Sequence, residues 1–396
     1  MDFCTNFVQL YPVEHFPFSR VVAMIDRLVL RCHIRDPEFF RLEGLSVPLI
    51  GSIDTDGEVY ALRHVWESIP SSFSNMAFKI FDYSDQRANP LPYIELNASP
   101  AKLMQGHNVY GSDDLIDCSF ALLELFYSVY PQVALLLDIS SWTVVEVDIT
   151  YASWASSARE ARQFINSLCN VSNGQTRARH GYDGTAYFGK KNSRLKKLKV
   201  YDKLHEVLNY LAGKKGSKDD PAKFFPPELM AWIEGMIRWE VTLKSRWFER
   251  RGISNNLFEL RKVFDPQAYW LEATKDIFES LEGHTMKIVN DEEVLNQLKA
   301  RFPTVNVKTG KVSYGLANSA YRTYRSIKAD GWLHVFGLMG RSNFYKHVDM
   351  ITACGLSRAY LQNLQGDGCK CEVIPMVRFA VVEFRNQFPD FYRKAA

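Results

Sequence analysis

The chain has 396 residues, of which 46% are hydrophobic and 23% charged, and 48 Lys and Arg stand against 45 Asp and Glu. This composition predicts a soluble globular protein of two or three domains with a substantial core, and excludes a chain too polar to fold. No signal-peptide pattern opens the sequence, and the most apolar stretch, 120–139, contains a glutamate and a proline, which is typical of a buried helix that runs into a loop. The sequence therefore predicts neither secretion nor a membrane span.

Seven short segments are rich in β-branched and aromatic residues, which favours strands. In chain order they are Met24–Arg31, Ala77–Asp82, Tyr93–Asn97, Trp142–Thr150, Thr185–Gly189, Leu195–Asp202 and Ile237–Lys244. Between and after them, apolar residues recur at three- and four-residue spacing, which predicts helices. These helices are Asp113–Tyr130, Ser156–Cys169, Leu204–Leu211, Tyr269–Leu281, Asp291–Arg301, Leu316–Ala329 and Ser342–Cys354.

The order of these elements predicts an α+β fold. We expect a central antiparallel sheet with helices packed mainly on one face, followed by a mostly helical C-terminal region. Strands thin out after about residue 265, so we predict a first domain at 1–265 and a second at 266–396. Within the first domain, the glycine- and lysine-rich stretch 213–221 predicts an exposed loop.

Four of the predicted strands have one apolar side and one polar side, because side chains alternate between the faces of a sheet. Glu95, Asp148 and Glu240 each lie opposite apolar neighbours in their strands, and Lys199 and Tyr201 share the polar side of another. Such a side is usually the solvated surface of an antiparallel sheet. Carboxylates are also the hard oxygen ligands that Mg²⁺ or Mn²⁺ prefers, and the pattern alone does not decide between the two interpretations.

A basic run at 190–203 holds seven Lys and Arg residues and a single Asp. Runs of this kind usually form a solvated face. Because this run leads directly to Tyr201, a surface that contacts phosphates is the alternative.

The seven cysteines are an odd number scattered through a large chain, which predicts reduced thiols in a cytoplasm. Cys369 and Cys371 form the one close pair, and without a second pair they are weak evidence for a metal site.

Several long segments resemble, in the same order, the replication initiators of filamentous bacteriophages, the gene II proteins. These segments are Glu67–Asp82, Tyr93–Ile116, Asn170–Arg177, Ile237–Ile253 and Pro375–Arg385. The resemblance runs nearly from end to end. More distantly, Gly184–Glu206 is similar to the catalytic-tyrosine segment of plasmid rolling-circle initiators.

The resemblance implies a nicking-joining endonuclease that initiates rolling-circle replication of phage DNA. Tyr201 matches the family's nucleophile, which attacks the plus strand of duplex replicative-form DNA, forms a 5′-phosphotyrosine and leaves a 3′-hydroxyl primer. The displaced strand is later rejoined into a circle. A phenol is a weak nucleophile, and Lys199 and Lys203, two positions to either side of Tyr201, are placed to assist it. No second tyrosine follows in Y-x-x-x-Y spacing, so we predict one nucleophile per chain.

A divalent cofactor, Mg²⁺ or Mn²⁺, is implied by the same resemblance. Asp148 and Glu240 are the preferred ligands, and Glu95 and His107 are further candidates from the family-like segments. For His107, a hydrogen-bonded role in a turn is an equal alternative. The chain lacks the His-hydrophobic-His motif of related nicking enzymes, so the identity of the ligands stays open.

Basic residues near Tyr201 are expected to bind DNA. They are Lys190, Lys191, Arg194, Lys196, Lys197, Arg238 and Lys244. For Arg238 and Lys244, pairing with neighbouring carboxylates is the alternative. The implied partners are origin DNA of the phage replicative form and the host helicase and DNA polymerase, with a second copy of the chain as a further candidate and no membrane. The implied location is the cytoplasm of the bacterial host.

The C-terminal region resembles the segment from which the family makes a shorter protein by internal initiation, and Met286 is the matching start. Within it, Arg322, Arg325 and Lys328 have helical spacing, which predicts either a solvated helix face or a DNA-contacting stripe. Two other functions remain open at this point: an origin-binding protein without catalysis, and a metal nuclease that hydrolyses DNA with water.

Overall fold

The computed structural model describes residues 24–34, 49–69, 75–81, 92–173, 176–180, 184–190, 192–214, 221–281, 291–307, 309–364, 387–389 and 391. Lys191, Met286, Cys369 and Cys371 lie outside these ranges, as do residues 215–220 of the predicted loop. The first two residues of that loop are instead the end of a helix. The structure describes four of the seven cysteines as free thiols, namely Cys32, Cys118, Cys169 and Cys354.

Ten strands form one antiparallel sheet at the centre of the protein. They are β1 (Met24–His33), β4 (Glu67–Ser68), β5 (Ala77–Phe81), β6 (Tyr93–Ala98), β7 (Thr143–Trp154), β8 (Ser172–Asn173), β9 (Thr176–His180), β10 (Thr185–Phe188), β11 (Lys196–Asp202) and β12 (Met236–Lys244). Their order across the sheet is β4-β5-β6-β1-β7-β12-β11-β10-β9-β8. Two separate hairpins join β2 (Leu49–Ile53) to β3 (Val59–His64) and β13 (Thr304–Val305) to β14 (Val312–Ser313).

Fourteen α-helices accompany these strands in the part of the chain that the structure describes. They are α1 (Pro100–Gln105), α2 (Leu115–Val129), α3 (Pro131–Ala134), α4 (Ala158–Leu168), α5 (Lys203–Lys214), α6 (Pro227–Trp232), α7 (Ser245–Glu249), α8 (Leu257–Leu260), α9 (Pro266–Leu281), α10 (Asp291–Arg301), α11 (Gly315–Asp330), α12 (Trp332–Leu338), α13 (Arg341–Ala353) and α14 (Arg358–Gln362). All seven predicted helices are present with ends within three residues of the prediction. The seven predicted strands are also present, and the predicted α+β fold is confirmed.

One face of the sheet is packed under α2, α4 and α9, which bury their apolar residues against it. The alternation of side chains explains this face, because Leu96, Val147, Val241 and Leu198 all point into the same core. Burying each large apolar side chain contributes about 1.5–3 kcal/mol, so this core fixes which side of every strand faces outward.

Helix α4 illustrates how local sequence sets an element boundary. The hydroxyl of Ser157 accepts a hydrogen bond from the backbone N–H of Glu160, and the Glu160 carboxylate accepts from the backbone N–H of Ser156. This arrangement is a variant of the capping box, in which the carboxylate bonds the N–H one residue before the N-cap, and the Ser157 hydroxyl satisfies an N–H group that the first helical turn leaves unpaired.

The opposite face of the sheet carries the polar side chains and is called the polar face below. One end of it is covered by a smaller apolar cluster in which α5 and α6 pack on β7 and β12 through Val207, Leu229, Ala152 and Met236. Helices therefore lie mainly, but not exclusively, on one side of the sheet.

The C-terminal helices α10 to α13 enclose a second core around Tyr324, Phe344 and Ile351. The predicted domain boundary at 265 places α9 with this second region. In the structure, Trp270 and Ile277 of α9 are buried in the core of the sheet. The short helix α14 joins the two regions, because Ala359 belongs to the core of the sheet and Leu361 to the second core.

Candidate active site

Tyr201 is the penultimate residue of β11 and lies on the polar face, in register with Arg238 of β12 and Thr185 of β10. It is only 3% exposed, and the Nζ atom of Lys199 lies 4.0 Å from the centre of its ring. Burial raises the pKa of Tyr201 well above the ordinary value of 10.0, and the charge of Glu240 raises it further, against the opposing effect of Arg238. The phenol is therefore protonated in the structure as it stands, and an attack needs a base to remove the proton, helped by a cation that stabilises the phenolate.

Lys199 and Glu240 form the charge pair next to this tyrosine. They are direct partners across β11 and β12, with Nζ 3.5 Å from the carboxylate. Burial is the largest single effect and lowers the pKa of Lys199, but the charges of Glu240 and its neighbours together outweigh burial and raise the pKa, so Lys199 stays cationic. The pair places a fixed positive charge directly beside the Tyr201 ring.

Asp148 is the most unusual carboxylate of the polar face. It is 3% exposed, and burial followed by the charge of Glu240 raises its pKa to about 7. Arg27 opposes this effect from 3.5 Å, but the same guanidinium also binds Glu146 at 2.8 Å. No described residue donates a hydrogen bond to Oδ1 of Asp148. Asp148 therefore has only a share of one guanidinium and one oxygen without a hydrogen bond from a described residue, and this environment accounts for its raised pKa.

Asp26 is a site residue that the sequence analysis missed. A β-bulge in β1 falls between Ile25 and Arg27, so two consecutive residues point to the polar face. The Asp26 carboxylate accepts a hydrogen bond from Asn108 at 2.8 Å and lies 3.7 Å from Arg238. The available signal was the spacing of the core residues Ile25 and Leu28, which are three apart where a regular strand requires two.

A second bulge corrects one detail of the predicted alternation. In β7 the register with β1 shifts between Val144 and Glu146, and the buried residue before the bulge is Val144, whereas simple alternation back from Val147 gives Val145. Glu146 and Asp148 nevertheless share the polar face, as predicted, because both pair with polar-face residues of β12.

Lys203 is not on the strand face where the sequence placed it. It begins α5 and is fully buried, with Nζ donating to Glu206 at 2.6 Å and to the side chain of Asn108 at 3.1 Å. Burial lowers the pKa of Lys203 to about 8, although Glu206 partly restores it, and the same pairing overcomes burial to lower the pKa of Glu206 to about 2. Lys203 is close enough to its pKa to hold or release a proton near neutral pH.

Arg238 holds the protein's own backbone. Arg238 is only 2% exposed, and its guanidinium donates to the carbonyl oxygens of Asn108 and Val109. Lys244 likewise pairs with Glu146. The structure thus gives both residues the carboxylate- or backbone-pairing role that was the alternative to binding phosphate.

His107 lies in the turn that Arg238 holds. Its Nδ1 atom accepts from the backbone N–H of Val109 at 3.3 Å, with the Gln105 amide 3.2 Å away. Burial, Lys203 and Arg238 together lower the pKa of His107 to about 4, so the ring is neutral. An accepting Nδ1 puts the ring proton on Nε2, which leaves no free lone pair for a metal in this arrangement. The hydrogen-bonded turn is the role that these contacts favour.

Glu95 is separated from the other candidate ligands. It lies opposite Arg31 of β1 and accepts from that guanidinium at 2.5 Å, whereas Asp148 lies opposite Arg27. Four residues along a strand span about 13 Å, so Glu95 does not join Asp148 and Glu240.

The remaining basic residues divide between the two faces. Lys197 is half-buried on the polar face, opposite Thr242, and Lys190 and Arg194 are exposed in the connection from β10 to β11. Lys196 points the other way. Its Nζ donates to the carbonyl oxygen of Ala273 in α9 at 2.7 Å, so it supports the helix layer and lies away from the polar face.

Asp148 and Glu240 are the pair that suits a divalent ion. Among the residues that the structure describes, no three His, Cys, Asp or Glu side chains converge as a complete metal cage. Mg²⁺ does not require one, because it commonly binds one or two carboxylates and takes its other ligands from water and substrate phosphates. The unpartnered Oδ1 of buried Asp148 and the raised pKa of this residue fit a cation between the two groups.

Two models of one protein family match this chain. The N-terminal model of the phage replication-associated protein encoded by gene II matches residues 24–262, and the C-terminal model of the same protein matches residues 307–396. The chain belongs to the gene II replication-associated protein family. The first match spans the sheet from β1 to the end of α8, which includes the whole polar face.

Individual gene II proteins are similar along most of their length. The replication-associated gene II protein of Salmonella phage IKe is 32% identical over 382 residues, which cover 91% of this chain and 89% of that protein. The corresponding protein of Enterobacteria phage M13 is 32% identical over 365 residues, 86% of each chain. A solved rolling circle replication initiator protein from Geobacillus stearothermophilus covers 61% of this chain and 78% of its own, with 9% identity and a TM-score of 0.27, which is too weak a likeness to carry an argument.

No helix in the described part of this gene II protein is both long enough and apolar enough to cross a bilayer.

Proposed function

We propose that this gene II protein is a site-specific nicking-joining endonuclease that initiates rolling-circle replication of phage DNA. The observation that carries the proposal is the juxtaposition on one sheet face of Tyr201 with the Lys199–Glu240 pair, and of Glu240 with buried Asp148. A water-using nuclease needs the carboxylates alone, and a pure binder needs neither group. The covalent mechanism uses both.

In the proposed reaction, the Tyr201 phenolic oxygen attacks the scissile phosphorus of the plus strand. A bond forms between that oxygen and phosphorus, and the bond from phosphorus to the 3′-oxygen breaks. The phenolic proton passes to a base, and the 3′-oxygen takes up a proton to become the 3′-hydroxyl primer. The 5′-phosphotyrosine conserves the phosphodiester, so attack by a later 3′-hydroxyl rejoins the displaced strand and releases Tyr201.

Residues around Tyr201 have distinct parts in this scheme. Lys199, held cationic by Glu240, steadies the negative charge that develops on the phenolic oxygen and the phosphate. Lys203, with its pKa near 8, is the group best suited to move a proton, and Glu206 keeps it oriented. Asp26 and Arg238 act as positioning residues, because they fix each other and the segment 107–110 beside the tyrosine.

Asp148 and Glu240 would hold the divalent ion, Mg²⁺ or Mn²⁺. When bound, such an ion polarises phosphate oxygens and lowers the barrier to nucleophilic attack. The basic residues that would contact the DNA backbone are Lys190 and Arg194, which are exposed, and Lys197, which is half-buried on the polar face.

The proposed partners follow from the same role. The substrate is origin DNA of the phage replicative form, and a host helicase and DNA polymerase would extend the 3′-hydroxyl in the host bacterial cytoplasm. A second copy of the chain is a further candidate at the origin.

The test compares wild type with Tyr201→Phe on a supercoiled plasmid that carries the phage origin, with Mg²⁺, on denaturing gels. Wild type should produce a nicked circle with protein attached to the 5′ end, and Tyr201→Phe should produce neither. Tyr151→Phe is the matched control, since Tyr151 is a buried strand tyrosine on the helix-packed face. Tyr187→Phe tests the prediction of a single nucleophile, since Tyr187 lies opposite Lys199 on the neighbouring strand. Both controls should nick and attach to DNA as wild type does.

Other outcomes point to the alternative functions. Nicking by Tyr201→Phe at the wild-type rate would assign the reaction to water and the metal. Binding of the origin fragment without nicking by any variant, unchanged in EDTA, would leave an origin-binding protein.

A further inference from the structure

Helices α12 and α13 meet at a two-residue turn in the C-terminal region, called the corner below. The two residues between them, Met339 and Gly340, are both extended, with φ and ψ of −100° and 147° and of −60° and 132°. Aromatic contacts fix the corner, because the Phe344 ring lies 4.8 Å from Trp332 and 5.3 Å from Phe336. Helix α11 packs behind both, with its buried residues in the same core. The two helices, their two-residue turn and α11 behind them have the element order of a helix-turn-helix, whose turn is one or two residues longer.

The outer side of α13 is polar at its beginning. Arg341, Ser342, Asn343 and Lys346 are exposed, whereas the inward positions of the same helix are buried in the second core. Arginine and asparagine are the side chains that make paired hydrogen bonds to guanine and adenine edges. The first turns of α13 therefore project donors suited to base pairs, without any role in holding the fold.

Positive charge predominates in this region. Residues 315–364 contain six Lys and Arg, two Asp and no Glu, although the whole chain has an excess of only three positive charges. Arg322 and Arg325 are exposed on α11, while Lys328 is engaged with Asp291 at 2.7 Å. The basic excess matches the charge of a nucleic acid backbone.

We infer that α13 binds in the major groove of duplex DNA, with Arg341 and Asn343 contacting base edges and Arg322 and Arg325 contacting phosphates. The inference rests on the proposed function and adds to it a second DNA site, distinct from the polar face, that recognises sequence in the intact duplex. An α-helix with its side chains, about 10–12 Å across, fits the roughly 12 Å major groove of B-form DNA. The major groove of A-form RNA is too narrow to admit it, which selects DNA.

The first experiment measures sequence preference with the full chain. A duplex pool with a randomised core of about 20 bp is selected for binding by wild type, and the recovered sequences are compared with those from Asn343→Ala and Arg341→Ala. Wild type should recover a motif, and each variant should lose preference at particular positions, weakening binding to the motif duplex by about 5- to 150-fold. Asn343→Gln keeps an amide that can pair with adenine, so it should weaken binding to the motif less than Asn343→Ala does. The substituted side chains are exposed, and unchanged thermal unfolding would verify that the variants fold.

The second experiment separates phosphate contacts from base contacts. For Arg322→Ala/Arg325→Ala, the slope of log K against log salt concentration should become shallower by about 1.8 while the recovered motif stays the same. The matched control is Lys262→Ala/Lys275→Ala, which removes two exposed cations next to and on α9 and should leave both slope and motif unchanged.

The outcomes distinguish this inference from the proposed function. If wild type recovers no motif, or if the α13 variants recover the wild-type motif at wild-type affinity, the inference is wrong, whatever Tyr201→Phe does to nicking. If the α13 substitutions change sedimentation of the free protein and leave DNA preference intact, the surface is a contact between copies of the chain and the inference is again wrong.

Discussion

Replacing Asp148 with asparagine should stabilise the protein above neutral pH. The carboxyl has a pKa of about 7 in the folded chain against an ordinary value of 3.8. A pKa raised by folding means that the folded state holds the proton more tightly than the unfolded state does. The contribution of Asp148 to the free energy of unfolding is therefore fully present below pH 3.8 and is lost as pH rises through 7. At about 1.4 kcal/mol per pH unit, ionising Asp148 costs the folded state up to about 4 kcal/mol by about pH 8.

The stability difference between wild type and Asp148→Asn should depend on pH. At about pH 5 the folded carboxyl is still protonated, and asparagine resembles it closely. Between about pH 5 and about 7 the wild-type chain loses about 2.7 kcal/mol that the asparagine variant keeps. Urea unfolding of wild type and Asp148→Asn at about pH 5 and about pH 8 should therefore show the advantage of the variant growing by about 2–3 kcal/mol.

Glu146→Gln is the matched control, because it lies two residues away on the same face of β7 and should behave in the opposite way. Hydrogen bonds and charges from Lys244 and Arg27 overcome burial and lower the pKa of Glu146. Its stabilising contribution is therefore present above its unfolded pKa and lost as pH falls. Glu146→Gln should destabilise the protein at about pH 8 by about 1–3 kcal/mol and by less at low pH.

Added Mg²⁺ completes the test. A ligand that binds only the folded state at about 100 times its Kd stabilises by about 2.7 kcal/mol, so Mg²⁺ should recover stability in wild type at about pH 8 and not in Asp148→Asn. The reasoning is refuted if Asp148→Asn is less stable than wild type at that pH, or if its advantage is the same at both pH values. Either result would mean that Arg27 already neutralises the buried carboxylate.

Three further substitutions test the surroundings of the site. Glu206→Gln leaves Lys203 buried with a weaker partner and should lower the free energy of unfolding in urea by about 1–3 kcal/mol at about pH 7. This figure is reduced because Glu206 is partly exposed. Unchanged stability would contradict the pairing. Gly106→Ala forces a side chain into φ +82° and against a phenylalanine ring, and should lower stability by at least about 1 kcal/mol in thermal unfolding. Gln387→Ala removes the amide that bonds both backbone groups of Ala152, so the Ala152 amide should exchange with solvent faster than in wild type.

The sheet could be predicted from the sequence because its strands obey simple alternation. Val241 and Leu243 in the core and Glu240 on the polar face follow directly from a period of two. Tyr201 and Lys199 were placed on the correct face for the same reason. Where a bulge breaks the period, as at Asp26, alternation gives no warning beyond an unexpected spacing of apolar residues.

The pairing of charges could not be predicted from the sequence. Arg238 was expected to bind DNA or to pair with a carboxylate; it lies 3.7 Å from Asp26 and also donates to two backbone carbonyls about 130 positions earlier in the chain, which no sequence pattern indicated. Lys196 was grouped with its basic neighbours, although its strand position directs it to the helix layer. Alternation along β11 already separates Lys196 from Lys197, but the distant groups that these side chains meet, such as the Ala273 carbonyl for Lys196, are determined by the fold.

Burial of Tyr201 relates the fold to the control of the reaction. Arg238, which lies opposite Tyr201 on β12, and Lys203, two residues after that tyrosine, are both engaged with Asn108. A DNA phosphate that reaches Tyr201 must compete with these contacts, and it can do so because a charge-assisted bond from phosphate to guanidinium is stronger than a bond to a neutral carbonyl. Because the free protein keeps its phenol buried and protonated, we expect attack only when correctly bound DNA has provided the binding energy to displace the segment 107–110.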